Sequence, residues 1–284
     1  GRPAPAVLNL QGFGCTGGVT QALAIALKGN TKCTTLSLSD NRLGEDGLRA
    51  ICASLEGIAT LAELRLAGCG IGNRTQDLAK LLAANKSIVS LDVSRNGMAD
   101  AGMSQLLRAV YDGNVMAALS LARNPGGPES FDLLGQLVRY GSSLRDLNLS
   151  WMSLRSEAGG AIAREMSHNR SLQHIDLSWN GLDDSCAEAV AEAVFEAALD
   201  SSLEPDGEAA GIRSINLSHN RVREPGATCI SLAFQHLRGR ESSLRSVDLA
   251  GNPLGEAGVR DLVRAALASQ TAFGVSGCSL TDRA

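Results

Sequence analysis

Pairs of apolar residues separated by a single other residue recur along this chain. The first members are Leu8, Leu36, Leu64, Leu91, Leu119, Leu147, Ile175, Ile215, Val247 and Phe273. They stand 27 or 28 residues apart as far as Ile175, then 40, 32 and 26. The second member always follows two residues later, from Leu10 to Val275, which is the alternation of a short strand with one buried face. Three residues beyond it lies a seat held by Asn41, Cys69, Asn96, Asn124, Asn180, Asn220, Asn252 and Cys278, with Phe13 and Met152 as exceptions. A buried amide there supplies donors and an acceptor to backbone groups that lose their ladder partners as the strand turns away. Cysteine is a weaker substitute, and the turns at Phe13 and Met152 are expected to be less well supported.

Six residues past that seat comes a small residue: Gly47, Gly102, Ser130, Ala158, Cys186, Gly226 and Gly258. Apolar pairs at helical spacing follow, such as Ile51 and Leu55, Leu106 and Val110, Ile162 and Met166, or Val190 and Val194. Each unit is therefore strand, turn, helix and return loop, with the helix covering the leucine side. A single unit cannot bury that side, so units must stack. The expected fold is an α/β solenoid of about ten strand-helix repeats, with a parallel sheet on one side. Strands pack about 4.8 Å apart and helices about 10 Å, so the stack must bend into a horseshoe with strands on the concave face and helices on the convex face. Residues 1–284 are expected to form a single domain, a fragment of a longer chain. The long intervals hold an acidic loop insertion at 200–211 and a second insert at 238–242, both expected to protrude near the helix C-termini.

Composition agrees with a repeated aliphatic unit: 44% of residues are hydrophobic but only 3% aromatic, so leucine and alanine must carry the core. The net charge is −4 without a block of like charge, which excludes nucleic acid as an expected partner. No stretch is long and apolar enough to span a membrane, so no membrane is expected either. The seven cysteines lack paired spacing, which points to free thiols in a reducing, cytoplasmic compartment.

The segments SLQHIDLSWNGL (171–182), IRSINLSHNRV (212–222) and LRSVDLAGNPLGEAG (244–258) resemble the leucine-rich repeat family, in its ribonuclease-inhibitor-like branch with repeats of about 28 residues. The resemblance runs through nearly the whole chain. It implies a non-enzymatic scaffold that recognises another protein. It also admits two alternatives, a GTPase activator similar to the Ran-directed one and a structural component of a cytoskeletal assembly.

Candidate chemistry is sparse. Gly12-x-Gly14-x-x-Gly17 has the order of a dinucleotide fingerprint but falls in a repeat turn, where turn glycines explain it. Seven carboxylates near helix starts, Glu45, Asp100, Glu129, Glu157, Asp184, Glu224 and Glu256, are too regular for catalysis and suit helix dipoles and free amides. No nucleophile-base pattern and no metal-ligand spacing stands out, so no cofactor, no metal and no catalytic residue is expected. Sequons begin at Asn73, Asn85, Asn148, Asn169 and Asn216, but a sugar at Asn148 or Asn216 would block the concave face, which together with the unpaired cysteines favours the cytosol.

What remains is the row of side chains on the concave face. Between the leucines stand, among others, Arg65, Asp92, Asp176 and Asp248. In the slot two residues past the second leucine stand Asp40, Gly68, Arg95, Arg123, Trp151, Trp179, His219 and Gly251. Arg95, Arg123, Trp151, Trp179 and His219 are expected to form one stripe at the strand C-terminal rim. Tryptophan and arginine are the side chains most enriched at binding hot spots, so these residues are the candidate partner surface. The competing explanation is that the indoles stack on each other and merely cover the turn. The preceding slot is small almost throughout, which either leaves room for a partner or suits a curved sheet. The leucine side at both ends lacks a polar cap, so adjoining domains or subunits are expected to cover it.

Overall fold

A computed structural model describes residues 6–199, 211–236, 243–269 and 271–279. The expectations for loops 200–210 and 238–242 fall outside the described residues. Two compact units divide the chain, Gly1–Leu133 and Leu134–Ala284.

The first unit alternates β1 (Ala6–Asn9), α1 (Gly17–Leu27), β2 (Cys33–Ser37), α2 (Gly44–Leu55), β3 (Glu63–Arg65), α3 (Gln76–Ala84), β4 (Ser90–Asp92), α4 (Asp100–Gly113) and β5 (Ala118–Ser120). Helix α5 (Pro128–Tyr140) runs through the division. The second unit continues with β6 (Asp146–Asn148), α6 (Arg155–Glu165), a 3-10 turn (Met166–His168), β7 (His174–Asp176) and α7 (Asp184–Leu199). It ends with β8 (Ser214–Asn216), α8 (Glu224–His236), β9 (Ser246–Asp248), α9 (Gly255–Ala268) and β10 (Ala272–Gly274). In each unit every strand pairs in parallel with the next in sequence. The register joins the predicted positions rung by rung, Leu8 to Leu36 to Leu64 to Leu91 to Leu119 in one unit. In the other it joins Leu147 to Ile175 to Ile215 to Val247 to Phe273.

Burial follows from stacking. From Leu36 to Leu249 every member of the eight doublets is at most 2% exposed. In the outermost rungs Leu8, Leu10, Phe273 and Val275 are only partly buried, because each has a neighbouring rung on one side alone. The helix residues at four-residue spacing complete the core: Ile51, Leu55, Leu106, Ile162, Met166 and Ile230 are all essentially inaccessible.

The asparagine seats work in both directions along the stack. Asn96 accepts from the Cys69 and Ile71 amides and donates to the Leu66 and Val93 carbonyls. Asn124 accepts from Asn96 and Met98. Cys69 replaces the amide donor with its thiol, 3.2 Å from the Leu38 carbonyl, and burial pushes that thiol up to about 11. Met152 fills its seat as a fully buried apolar side chain, and after it Ser153 and Arg155 both adopt positive φ without glycine. The expected weakness of that turn thus takes the form of backbone strain.

The small-residue seat marks close helix approach: a Cβ on Gly102 would lie 2.6 Å from Asn73 Cα. In α6 the constriction falls one residue later than the spacing predicts. Ala158 stays partly exposed, while a Cβ on Gly159 would meet Leu182 Cδ2 at 2.4 Å.

Acidic residues stand in the first helical turns as expected, but the structure shows a further job. Asp100 accepts from the Glu129 and Ser130 amides, and Asp184 from those of Arg223 and Gly226, so each also caps the helix of the following rung. Partial desolvation would raise the Asp100 carboxyl, yet hydrogen bonds from Ser130 and Glu129 outweigh it and hold the carboxyl below its ordinary value. Asp100→Ala is expected to cost about 1 kcal/mol, the usual worth of a cap. A depressed carboxyl stabilises the fold above its unfolded pKa of about 3.9, and that contribution is lost as pH falls through the lower folded value. Urea titrations should therefore show the deficit of the variant at neutral pH and its disappearance in acid.

Candidate functional site

The slot two residues past the second apolar residue of each doublet has one backbone conformation throughout. Asp40, Arg95, Arg123, Trp151, Trp179 and His219 have φ between 55° and 60°, and Gly12, Gly68, Gly251 and Gly277 occupy the same position at 64° to 69°. This left-handed region costs a residue with a Cβ about 1 kcal/mol, and glycine nothing comparable. Six side chains are therefore held where glycine would be more stable. Sequence reasoning missed this, although four glycines in register were a usable signal.

Equal backbone geometry on adjacent rungs sets side chains at the strand pitch, which suits ring stacking. Trp151 and Trp179 stack at 4.4 Å between centroids and 11° between planes. Trp179 and His219 stack at 4.1 Å and 14°. The indoles remain 42% and 43% exposed, so the stack covers its faces and leaves its edges to solvent. The next rung must be bare for the imidazole to lie flat: a Cβ on Gly251 would sit 2.5 Å from His219 Nδ1. Gly251→Ala is expected to displace His219 and to destabilise by about 2 kcal/mol, from left-handed strain plus crowding. A denaturant midpoint together with the tryptophan emission spectrum would check it; an unchanged spectrum would contradict the displacement.

In the first unit the same slot carries charge. Arg95 Nη1 lies 2.8 Å from Asp40 Oδ1, reaching across the intervening rung, where Gly68 leaves the space. Gln11 Nε2 donates to the other Asp40 oxygen at 2.8 Å. The Arg95 hydrogen bond, with that from Gln11, holds the Asp40 carboxyl below its ordinary range. Arg95 thus meets solvent already balanced by a carboxylate. Arg123 shares the left-handed conformation in this unit, whereas the three rings belong to the second.

The row between the leucines has a structural task that its polarity did not reveal. Asp92, Asp176 and Asp248 each accept, at 2.9 Å, the amide two residues on, of Ser94, Ser178 and Ala250. Asn148 and Asn216 do the same for Ser150 and Ser218 at 3.0 Å. These turns satisfy amides at the strand end. Arg65 is bound to Glu63 on its own strand through Nε at 2.7 Å and Nη2 at 2.6 Å. The small slot beside the rings is mostly floor: Ser150, Ser178 and Ser218 are buried.

Other chemistry is thin. Among the described residues no cluster of three His, Cys, Asp or Glu side chains has a metal-binding arrangement. Burial pushes the Cys52 and Cys186 thiols up to about 12. Two sequon asparagines, Asn85 and Asn169, are buried with their amide nitrogens donated to backbone carbonyls.

Parallel strand-helix rungs, with aliphatic doublets inside and an asparagine seat at most turns, define the α/β leucine-rich repeat solenoid. A family model described as Leucine Rich repeat matches residues 29–52, 84–107, 168–191 and 241–263. The chain carries leucine-rich repeats and is similar to proteins of the ribonuclease-inhibitor-like type. It is similar to the ribonuclease inhibitor of Sus scrofa, 27% identical over 288 residues that cover 90% of this chain and 60% of that protein. It is also similar to the NACHT, LRR and PYD domains-containing protein 5 of Bos taurus, 28% identical over 257 residues that cover 90% of this chain and 20% of that one. The chain therefore spans less than two thirds of the first relative and about a fifth of the second. The crystal structure of human 5T4, trophoblast glycoprotein, shares the fold, with a TM-score of 0.52 and 17% identity over 99% of this chain and 94% of that one. Leucine-rich repeat proteins act generally as protein-interaction scaffolds. Among the described residues no helix is long and apolar enough to cross a membrane.

Proposed function

We infer that this chain is a non-enzymatic binding module that holds a partner protein against the exposed strand face and the C-terminal rim of its strands. Trp151 and Trp179 are the anchors in this reading, His219 extends them, and Arg95 and Arg123 select by charge. Arg65, Asp92, Asp176 and Asp248 contribute from the strand face with the groups their internal contacts leave over. The observation that carries it is the left-handed slot. Three rings occupy strained positions that glycine fills on other rungs, and they leave their edges in water without adding to the core. Strain retained at exposed aromatic side chains is characteristic of functional surface. The pig relative is by name an inhibitor of a ribonuclease, which is in keeping with recognition of a whole protein. We place the chain in the cytoplasm, on the support of seven free thiols and of the buried sequon asparagines Asn85 and Asn169.

The test is recovery of crosslinked partners from the native cell by the wild type and by the Trp151→Ala, Trp179→Ala double variant. Equal recovery by two folded proteins would remove the rings from the binding surface.

A further inference from the structure

The rings of the second unit close their own faces. Trp179 lies between Trp151 at 4.4 Å and His219 at 4.1 Å, both nearly parallel to it. His219 lies in turn over Gly251, where a Cβ would stand 2.5 Å from its Nδ1. What Trp179 leaves in water is therefore ring edge. An aromatic ring is electron-rich on its face and electron-poor at its edge, so a cation seeks the face and an oxygen acceptor the edge. The indole edge also carries a true donor: among the described residues neither the Trp179 Nε1–H nor the His219 ring nitrogens have a hydrogen-bond partner. A lysine or arginine finds no open face at Trp179, whereas a carboxylate finds a donor.

The loops that leave this column add cations on its two outer ring-bearing rungs. Arg155 follows Trp151 by four residues, and Arg221 and Arg223 follow His219 by two and four. All three are exposed, and among the described residues none is in an ion pair. The repeat supplies a control for Arg155. Its position, six residues past the second apolar residue of the doublet, is held on other rungs by Gly44, Gly72 and Gly255 at φ between 57° and 68°, and Arg155 keeps the same left-handed region at 53°. The Arg155 amide donates to the Asn180 carbonyl at 3.2 Å, which calls for this backbone but not for a guanidinium. Strain retained under an exposed, unpaired side chain marks a functional position. The carboxylates of the intervening rung are engaged locally: Asp183 Oδ1 accepts from the amide and hydroxyl of Ser185, and Asp184 Oδ1 from the amides of Arg223 and Gly226. On the strand side Asp176 and Asp248 bond their own turns.

We propose, on the binding surface inferred above, that the partner segment seated along this rim is acidic, with its carboxylates received by Arg155, Arg221 and Arg223 and by the ring edges of Trp179 and His219. The chain has only two tryptophans, both in this stack, so their emission reports this surface. The experiment is titration of the whole chain with heptaglutamate and with heptalysine, followed by tryptophan emission. The net charge of −4 would draw heptalysine, so a response to heptaglutamate is local in origin. Heptaglutamate is expected to saturate, more weakly at higher salt, and heptalysine to give no saturable change. Arg155→Gly should weaken heptaglutamate by about tenfold, the loss of one charge-assisted contact, with a Tm no lower than that of the wild type because glycine is free of the strain. Arg223→Gln, which keeps the amide bonded to Asp184, should weaken it similarly. If either variant fails to fold by circular dichroism, the other carries the comparison. Absence of saturation, an equal response to heptalysine, or unchanged affinity in the arginine variants overturns the acidic preference. Should that occur while the Trp151→Ala, Trp179→Ala variant still loses its crosslinked partners, the binding surface stands without the preference. Equal recovery of partners removes the surface and the preference together.

Discussion

Asn180→Leu is expected to destabilise the second unit by about 3 kcal/mol, the sum of three buried backbone groups left without partners at about 1 kcal/mol each. The Asn180 side chain accepts the Met152 amide at 2.8 Å and the Leu154 amide at 3.3 Å, and donates to the Leu149 carbonyl at 2.9 Å. It also reaches the Leu177 and Ser178 carbonyls. Those two have other donors, Asn220 Nδ2 and the Trp151 amide, and so lose less. A leucine fits the volume and is already the commonest core residue, so the loss isolates hydrogen bonding from packing. The rung that suffers is the one with Met152 in its own seat, which has no amide to spare. Urea unfolding followed by circular dichroism measures the effect. Asn180→Asp keeps the acceptor and loses the donors, and should fall between wild type and leucine. A leucine variant as stable as wild type would show that the seat is a packing position.

The second large effect concerns binding. Removing both indoles is expected to reduce partner affinity by at least about a hundredfold, since each buried hot-spot tryptophan contributes about 2 kcal/mol or more. Stability should change much less, because Trp151 and Trp179 are half exposed and sit at left-handed φ. Truncation to alanine loses the ring contacts while the strain remains, so a net loss of about 1 kcal/mol is expected. Trp151→Gly with Trp179→Gly removes the strain as well and should recover part of that loss without recovering partner. This split separates an anchoring role from a covering role. If the rings only shield the turn, both double variants bind as wild type and stability alone moves.

Much of this protein is legible in one dimension. The ten doublets set the strand register residue for residue, because a rung that cannot bury its own leucines has a single way to stack. The asparagine seats, the acidic helix starts and most of the small residues were equally readable, each being repeated in register. The slot holding Trp151, Trp179 and His219 was visible as a column, since composition concentrates both tryptophans there.

Sequence alone determined the rungs, their order and the identity of the column, because these follow from periods of two and of about 28 that any translation of the chain preserves. Only the tertiary structure decided that the column is left-handed and that Asp40 meets Arg95 across a glycine. It also decided that Asp92, Asp176 and Asp248 close their own turns, and that Arg139, Tyr140, His168 and Arg170 share one cavity. The left-handed column and the closed turns recur in register, but as backbone angles and hydrogen bonds that residue types do not spell out, whereas the Asp40–Arg95 pair and the shared cavity join residues far apart in the chain.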